Sequence, residues 1–155
     1  MPTLEPILVT LAPQHVAGIR RVVPMREIPQ HYDASFPALG AAFAATGVTP
    51  SGPPMGISNS MPGDTLDLTV GFPVAEAFPG HGDVVDQLLP GGPAAEMMVL
   101  GDYAQLPDAY GTLLAWLAEQ GLTPGPLAWE QYLTNPEPDA DPAQNQTKLV
   151  WLLAE

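Results

Sequence analysis

A chain of 155 residues, 46% of them hydrophobic, has the length and composition to bury the core of one domain. Its charge is one-sided, with 17 acidic against 4 basic residues and a net charge of −13. That excludes direct binding to a phosphate backbone and disfavours an anionic membrane surface.

A cationic ligand or a basic protein surface is electrostatically welcome, although acidity also simply keeps a protein soluble. There is no cysteine, hence no disulfide framework and no thiol chemistry. No apolar run approaches the roughly 20 residues of a membrane span. The segment Met1–Pro6 lacks the basic start and apolar stretch of a signal peptide. A cytoplasmic protein is expected.

Twenty prolines and fifteen glycines cut the chain into short elements. Val16–Val23 is rich in β-branched residues and reads as a strand. A helix follows to about Thr46, with Phe36, Leu39 and Phe43 on one face and Gly47 as its stop. Pro37 places the regular start of that helix near Ser35, which would act as N-cap. Pro54–Asn59 and Thr65–Phe72 read as two strands. In the second, Leu66, Leu68, Val70 and Phe72 alternate with Asp67 and Thr69. Asp86–Leu89 and Ala94–Leu100 are the next strands. A helix opens at Pro107 and Asp108, with Tyr110, Leu113, Leu114 and Leu117 as its apolar face, and Gly121 ends it. Leu127–Leu133 is a strand, Asn135–Gln146 a polar, proline-rich loop, and Thr147–Leu153 the closing strand.

These elements repeat. Gly47-Val-Thr-Pro-Ser-Gly-Pro53 returns as Gly121-Leu-Thr-Pro-Gly-Pro126, an offset of 74 residues between the two leading glycines. Phe36, Leu39 and Phe43 recur at the same offset as Tyr110, Leu113 and Leu117. The expectation is an α+β fold, one domain over residues 1–155, built from two β-α-β-β modules at about 15–75 and 84–154. The modules would pack about a pseudo-twofold axis with a ligand cleft between them. Aligned with one gap at Ser51, the repeat sets Glu130 against Ile57 and Tyr132 against Asn59, so the acid is not duplicated.

Glu130 is the most conspicuous polar residue, because it interrupts an otherwise buried-looking strand between Trp129 and Tyr132. Period-two alternation puts Ala128, Glu130 and Tyr132 on one face, and Trp129, Gln131 and Leu133 on the other. A carboxylate beside an aromatic ring suits an organic cation. Burial would raise its pKa and fit it for acid–base work. On an amphipathic strand it would simply face solvent. Tyr103, Phe72, Tyr132 and Trp151 are candidate walls of the cleft. Met25, Met55, Met97 and Met98 are candidate adaptable lining. For each of these, core packing is the simpler role. His15, His31 and His81 are scattered, and His81-Gly-Asp83 is too sparse for a metal site. No serine triad, phosphate loop or dinucleotide fingerprint is present, and no cofactor is expected.

Several segments together resemble one family. They are Ala17-Gly-Ile-Arg-Arg-Val-Val-Pro-Met-Arg-Glu-Ile-Pro29, Gly47 to Pro54, Asp67-Leu-Thr-Val-Gly-Phe-Pro-Val74 and Leu89-Pro-Gly-Gly92. Gly101-Asp-Tyr103, Ala109-Tyr110, Trp116 and Trp129-Glu-Gln-Tyr-Leu-Thr-Asn-Pro136 complete the set. In order and spacing they resemble the GyrI-like small-molecule-binding domains, which also form the effector-binding domain of multidrug-sensing transcription activators. The resemblance covers about residues 15 to 154. It implies two β-α-β-β modules around a ligand cleft, with Glu130 as the cleft acid and Tyr103, Tyr132 and Trp151 as its companions. It implies lipophilic, cationic aromatic ligands; the regulators also carry an N-terminal helix-turn-helix domain, and with only about fifteen residues before the repeat a stand-alone binding domain is expected here. Relatives carry a histidine where this chain has Val99, and an aromatic in the strand after Pro54 where Met55–Ser58 has none. Some family members are hydrolases that open cyclopropane-bearing electrophiles, which makes hydrolysis at Glu130 the alternative. A third reading is an acidic surface that meets a basic protein partner.

Overall fold

Among residues 5–60, 63–101, 106–133 and 145–154, which the computed structural model describes, the chain forms eight strands and two helices. In order these are β1 (Ile7–Leu11), β2 (Gln14–Pro24), a 3-10 turn (Met25–Glu27), α1 (Ile28–Thr46), β3 (Met55–Ser58) and β4 (Thr65–Val74). Then follow β5 (Val85–Leu89), β6 (Gly92–Leu100), α2 (Leu106–Glu119), β7 (Pro124–Tyr132) and β8 (Gln146–Leu153). All strands join one antiparallel sheet in the order β1-β6-β8-β7-β3-β4-β2-β5. The fold is α+β, with β3 and β7 paired at its centre. Outward from that pair, each half runs through its second, third and first strand: β3-β4-β2 on one side and β7-β8-β6 on the other.

The edge strands are exchanged. β1 precedes β2 in the chain but pairs with β6, whereas β5 precedes β6 but pairs with β2. Short corners at Ala12–Pro13 and Pro90–Gly91 carry the chain from one end of the sheet to the other. They touch, because a Cβ on Gly91 would collide with the Leu11 carbonyl and the Pro13 ring. The sheet therefore curls. Its concave face holds Val16, Met55, Ile57, Leu89, Ala94, Trp129 and Val150 in one buried cluster.

Both helices lie on the opposite face. Leu39 and Ala42 of α1 pack on Ala17, Ile19, Leu68 and Val70. Leu113 and Leu117 of α2 pack on Ala95, Met97, Leu149 and Trp151. Between the two helices, the helix-side face of the β3–β7 pair remains open as a hollow.

Several expectations are corrected. β1 was not anticipated, because the strand it pairs with, β6, lies far along the chain. α1 begins at Ile28, a full two turns before Ser35, with Pro29 in its first turn. Ser35 is not a cap: it is buried, and its Oγ lies 3.2 Å from His31 Nδ1, one turn back. His31 Nε2 donates to the Leu68 carbonyl (3.1 Å), which ties the early turns of the helix to β4. Pro37 sits inside the helix. Both Pro37 and Asp33, whose carbonyl loses its intrahelical donor there, are exposed, so the missing N–H leaves no buried acceptor unpaired. Gly47 ends the helix in the left-handed region (φ 73°), as anticipated, with its N–H on Phe43 O at 2.9 Å.

The gap at Ser51 is also corrected. Paired residues in antiparallel strands share a face, and the register sets Ile57 against Trp129 and Gly56 against Glu130. Ile57 is therefore on the concave face and Glu130 on the helix face, so Ile57 cannot be its counterpart. Without the gap, the 74-residue offset matches Glu130 to Gly56 and Tyr132 to Ser58. Of the expected polar loop, residues 135–144 lie outside the described residues, and Gln146 already belongs to β8.

Candidate functional site

The hollow on the helix face is a cavity of about 490 Å³. Its walls are almost wholly apolar and come from both halves: Ile28 of α1, Leu66 and Leu68 of β4, Leu106 and Leu114 of α2, and Ala128 and Trp151 of β7 and β8. Glu130 is in its floor, part-buried.

Three tyrosines surround that carboxylate. Tyr110 on α2 donates its hydroxyl to Glu130 Oε1 at 2.8 Å. Tyr132, two residues along β7, donates to Oε2 at 2.6 Å. Since the Tyr132 proton is directed at Glu130, the 2.7 Å contact between Tyr32 and Tyr132 is a donation from Tyr32, on α1, to the Tyr132 oxygen. The result is a directed chain, Tyr32 to Tyr132 to Glu130, met from the other side by Tyr110. Charge-assisted O–H···O⁻ bonds of this length are among the stronger hydrogen bonds in proteins.

Tyr32 reaches this position because β3 carries a glycine there. A Cβ on Gly56 would collide with the Tyr32 hydroxyl and come within 3.1 Å of that of Tyr132. The rings also pack: Tyr32 and Tyr132 meet edge-on at 6.0 Å, and Tyr110 and Trp151 at 5.9 Å. Trp151 is anchored from outside the cavity, its Nε1 donating to the buried Gly125 carbonyl at 2.6 Å.

Burial sets the electrostatics. It raises the Glu130 carboxyl above the ordinary glutamate range, while the hydroxyls of Tyr132 and Tyr110 hold it back by stabilising the charged form. The hydroxyls of Tyr110 and Tyr132 are pushed well above the usual tyrosine range, first by burial and then by the Glu130 charge. Tyr32 is raised for the same two reasons. The tyrosines therefore stay protonated as donors across the physiological range.

Of the residues singled out in the sequence, Glu130, Tyr132 and Trp151 meet in this cavity, and Met25 stands at its lining, 42% exposed. Phe72 does not line it. It lies further out along β4, beneath α1, packed edge-on against Phe36 (6.1 Å) and Phe43 (5.6 Å). Register explains this: Phe72 pairs with Ala17 beyond the end of β3, which begins opposite Gly71. Tyr103 lies outside the described residues. Met55 and Met97 are core, and Val99 is buried against α2.

Tyr32 and Tyr110 are the members of the hydrogen-bonded cluster around Glu130 that sequence reasoning missed. Each sits on the apolar face of its helix, where a ring reads as core. The available signal was a hydroxyl on that face, together with a glycine in the strand below, where a close approach is expected.

The chain matches the family model of the GyrI-like small molecule binding domain over residues 4–153. No curated protein sequence matches it. Among solved structures, it is similar to the EcmrR C-terminal domain at TM-score 0.81 and 19% identity, covering 97% of this chain and 98% of that one. In the EcmrR–DNA complex the similarity has a TM-score of 0.82 at 19% identity and covers 99% of this chain, which spans 58% of the EcmrR chain. A structure of SAV2435 bound to tetraphenylphosphonium is similar at TM-score 0.68 and 10% identity, covering 97% and 94%. A hydrolase from Listeria innocua is similar at TM-score 0.70 and 14% identity, covering 99% and 94%. At these identities the similarity establishes the fold.

Proposed function

Because the chain belongs to the family of GyrI-like small-molecule-binding domains, we propose that it binds lipophilic, aromatic cations in the cavity above Glu130. The observation that carries this reading is one carboxylate, the only one among the described residues of the lining, in the floor of a largely apolar cavity, with tyrosine and tryptophan rings beside it. The cavity volume lies within the ~300–1,000 Å³ that holds drug-sized ligands. Apolar walls take up the hydrocarbon, the ring faces attract positive charge, and the carboxylate supplies the counter-charge where water is scarce. Tetraphenylphosphonium, the ligand of the SAV2435 structure, is a cation of this kind. The excess of acidic groups adds long-range attraction for such ligands.

The test is a titration with tetraphenylphosphonium, read by quenching of Trp151 fluorescence and by calorimetry. Micromolar binding is expected, with at least tenfold weaker binding in Glu130→Gln. Unchanged affinity in that variant would remove Glu130 as the counter-charge.

A second reading is hydrolysis of a cyclopropane-bearing electrophile, favoured by the hydrogen-bonded Tyr132–Glu130 pair. Glu130 would take a proton from water as its oxygen bonds to a ring carbon. The electrons of the breaking C–C bond would pass to the adjacent carbon, which then receives that proton. Incubation with such a compound and detection of its hydrated product tests this reading, and turnover that survives Glu130→Ala would end it.

A further inference from the structure

Both oxygens of the Glu130 carboxylate already accept a hydrogen bond from the protein: Oε1 from Tyr110 and Oε2 from Tyr132. Tyr132 is itself held in place, because its oxygen accepts from Tyr32. The chain of donors ends at the carboxylate and comes from α1, β7 and α2. Tyrosines raised well above their usual range do not give up these protons to a ligand.

We infer that Tyr110 and Tyr132 make the site selective for cations without N–H groups, such as quaternary ammonium and phosphonium ions, over protonated amines of the same skeleton. The inference rests on the cation-binding reading above and specifies the ligand class for that site. An ammonium ion makes several hydrogen bonds in water and must replace them on binding. Each Glu130 oxygen keeps a second lone pair, but an N–H that reaches it must share the oxygen with a tyrosine hydroxyl already in place, which weakens both bonds, and an ammonium's remaining N–H groups still need acceptors of their own. Among the described residues other acceptors are few. Ser58 lies two pairs along β3 from Gly56, on the same face, Ser60 follows it at the lining, and most of the remaining wall is hydrocarbon. A quaternary cation asks for no acceptor. It gains the field of the carboxylate and the faces of the rings while the tyrosine bonds remain intact.

The experiment compares 4-phenylbutylammonium with 4-phenylbutyltrimethylammonium in wild type, Tyr110→Phe, Tyr132→Phe and Glu130→Gln, by calorimetry at constant pH. Thermal melts of each variant confirm that it folds. In wild type the trimethyl compound is expected to bind at least tenfold tighter. Extra methyl groups alone would strengthen binding in any apolar cavity, so the decisive quantity is the ratio of the two dissociation constants. In Tyr110→Phe an oxygen of Glu130 is freed for the amine, and the ratio is expected to fall by roughly an order of magnitude, the scale of one buried charged hydrogen bond. Tyr132→Phe, which frees the other oxygen, should move it the same way. A ratio that stays constant in both tyrosine variants overturns the inference while leaving Glu130 as counter-charge. Equal binding of both cations in wild type and Glu130→Gln overturns the cation-binding reading itself.

Discussion

Gly56 and Glu130 face each other across the central strand pair, and the side chain that Gly56 lacks leaves the space that the hydroxyl of Tyr32 occupies. One strand supplies the charge and the other supplies the vacancy. Through that vacancy, a helix of the first half contributes to a hydrogen-bond chain that ends on a strand of the second.

Gly56→Ala should therefore act on the site and not merely on the strand. Its Cβ drives Tyr32 out of contact with Tyr132. A loss of about 1–3 kcal/mol in unfolding free energy is expected, the scale of a displaced buried polar group. Urea denaturation measures it, and a variant as stable as wild type would show that Tyr32 relocates without cost.

Stability should depend on pH through Glu130. Its carboxyl is raised in the folded state, chiefly by burial. A raised acid holds its proton more tightly when folded, so its contribution is present below the unfolded pKa and is lost as pH rises through the folded one. Glu130→Gln carries no such loss. The variant should gain on wild type between about pH 4 and pH 8, by roughly 1–3 kcal/mol, as an incompletely compensated buried charge is removed. Parallel denaturation curves at the two pH values measure this difference.

Affinity for a quaternary cation should move in the opposite sense to that stability contribution. The cation prefers the ionised carboxylate, so binding strengthens as pH rises towards the raised Glu130 pKa and levels off above it. Below that pKa the slope approaches about tenfold per pH unit, with one proton released. Calorimetry in buffers of different ionisation enthalpy counts that proton. Glu130→Gln should give a flat profile.

Trp151→Phe keeps a ring beside Tyr110 but removes the donor to the buried Gly125 carbonyl. A cost of about 1–3 kcal/mol is expected from that unpaired acceptor. If ligand still quenches fluorescence in this variant as in wild type, the signal comes from Trp116 or Trp129 and not from the cavity wall.

Much of the fold was legible because its signals are local. Alternation marked β4, the Phe36–Leu39–Phe43 face marked α1, and Gly47 and Gly121 marked two helix ends. What was illegible depends on partners distant in the chain. β1 is a strand only because β6 accepts it, and the first turns of α1 hold because His31 and Ser35 find buried partners. A proline read as a start signal proved tolerable on a solvent-facing side.

For the site, alternation on β7 put Glu130 and Tyr132 on one face, and the register agrees. Phe72 obeys the same alternation on β4 yet misses the cavity, because a face says nothing about position along it. Tyr32 and Tyr110 were hidden by their rings, which pack as hydrocarbon while their hydroxyls serve the carboxylate.

The crossed corners at Ala12–Pro13 and Pro90–Gly91 bear on how such a chain can be divided. Cutting between β4 and β5 would seem to release two independent modules, but each fragment would carry away the strand that borders the other. Either piece alone would expose a bare sheet edge at β2 or β6, and together they would have to re-thread to recover it. The two halves are thus woven and not merely adjacent, so neither could be exchanged for a foreign copy without bringing its edge strand along.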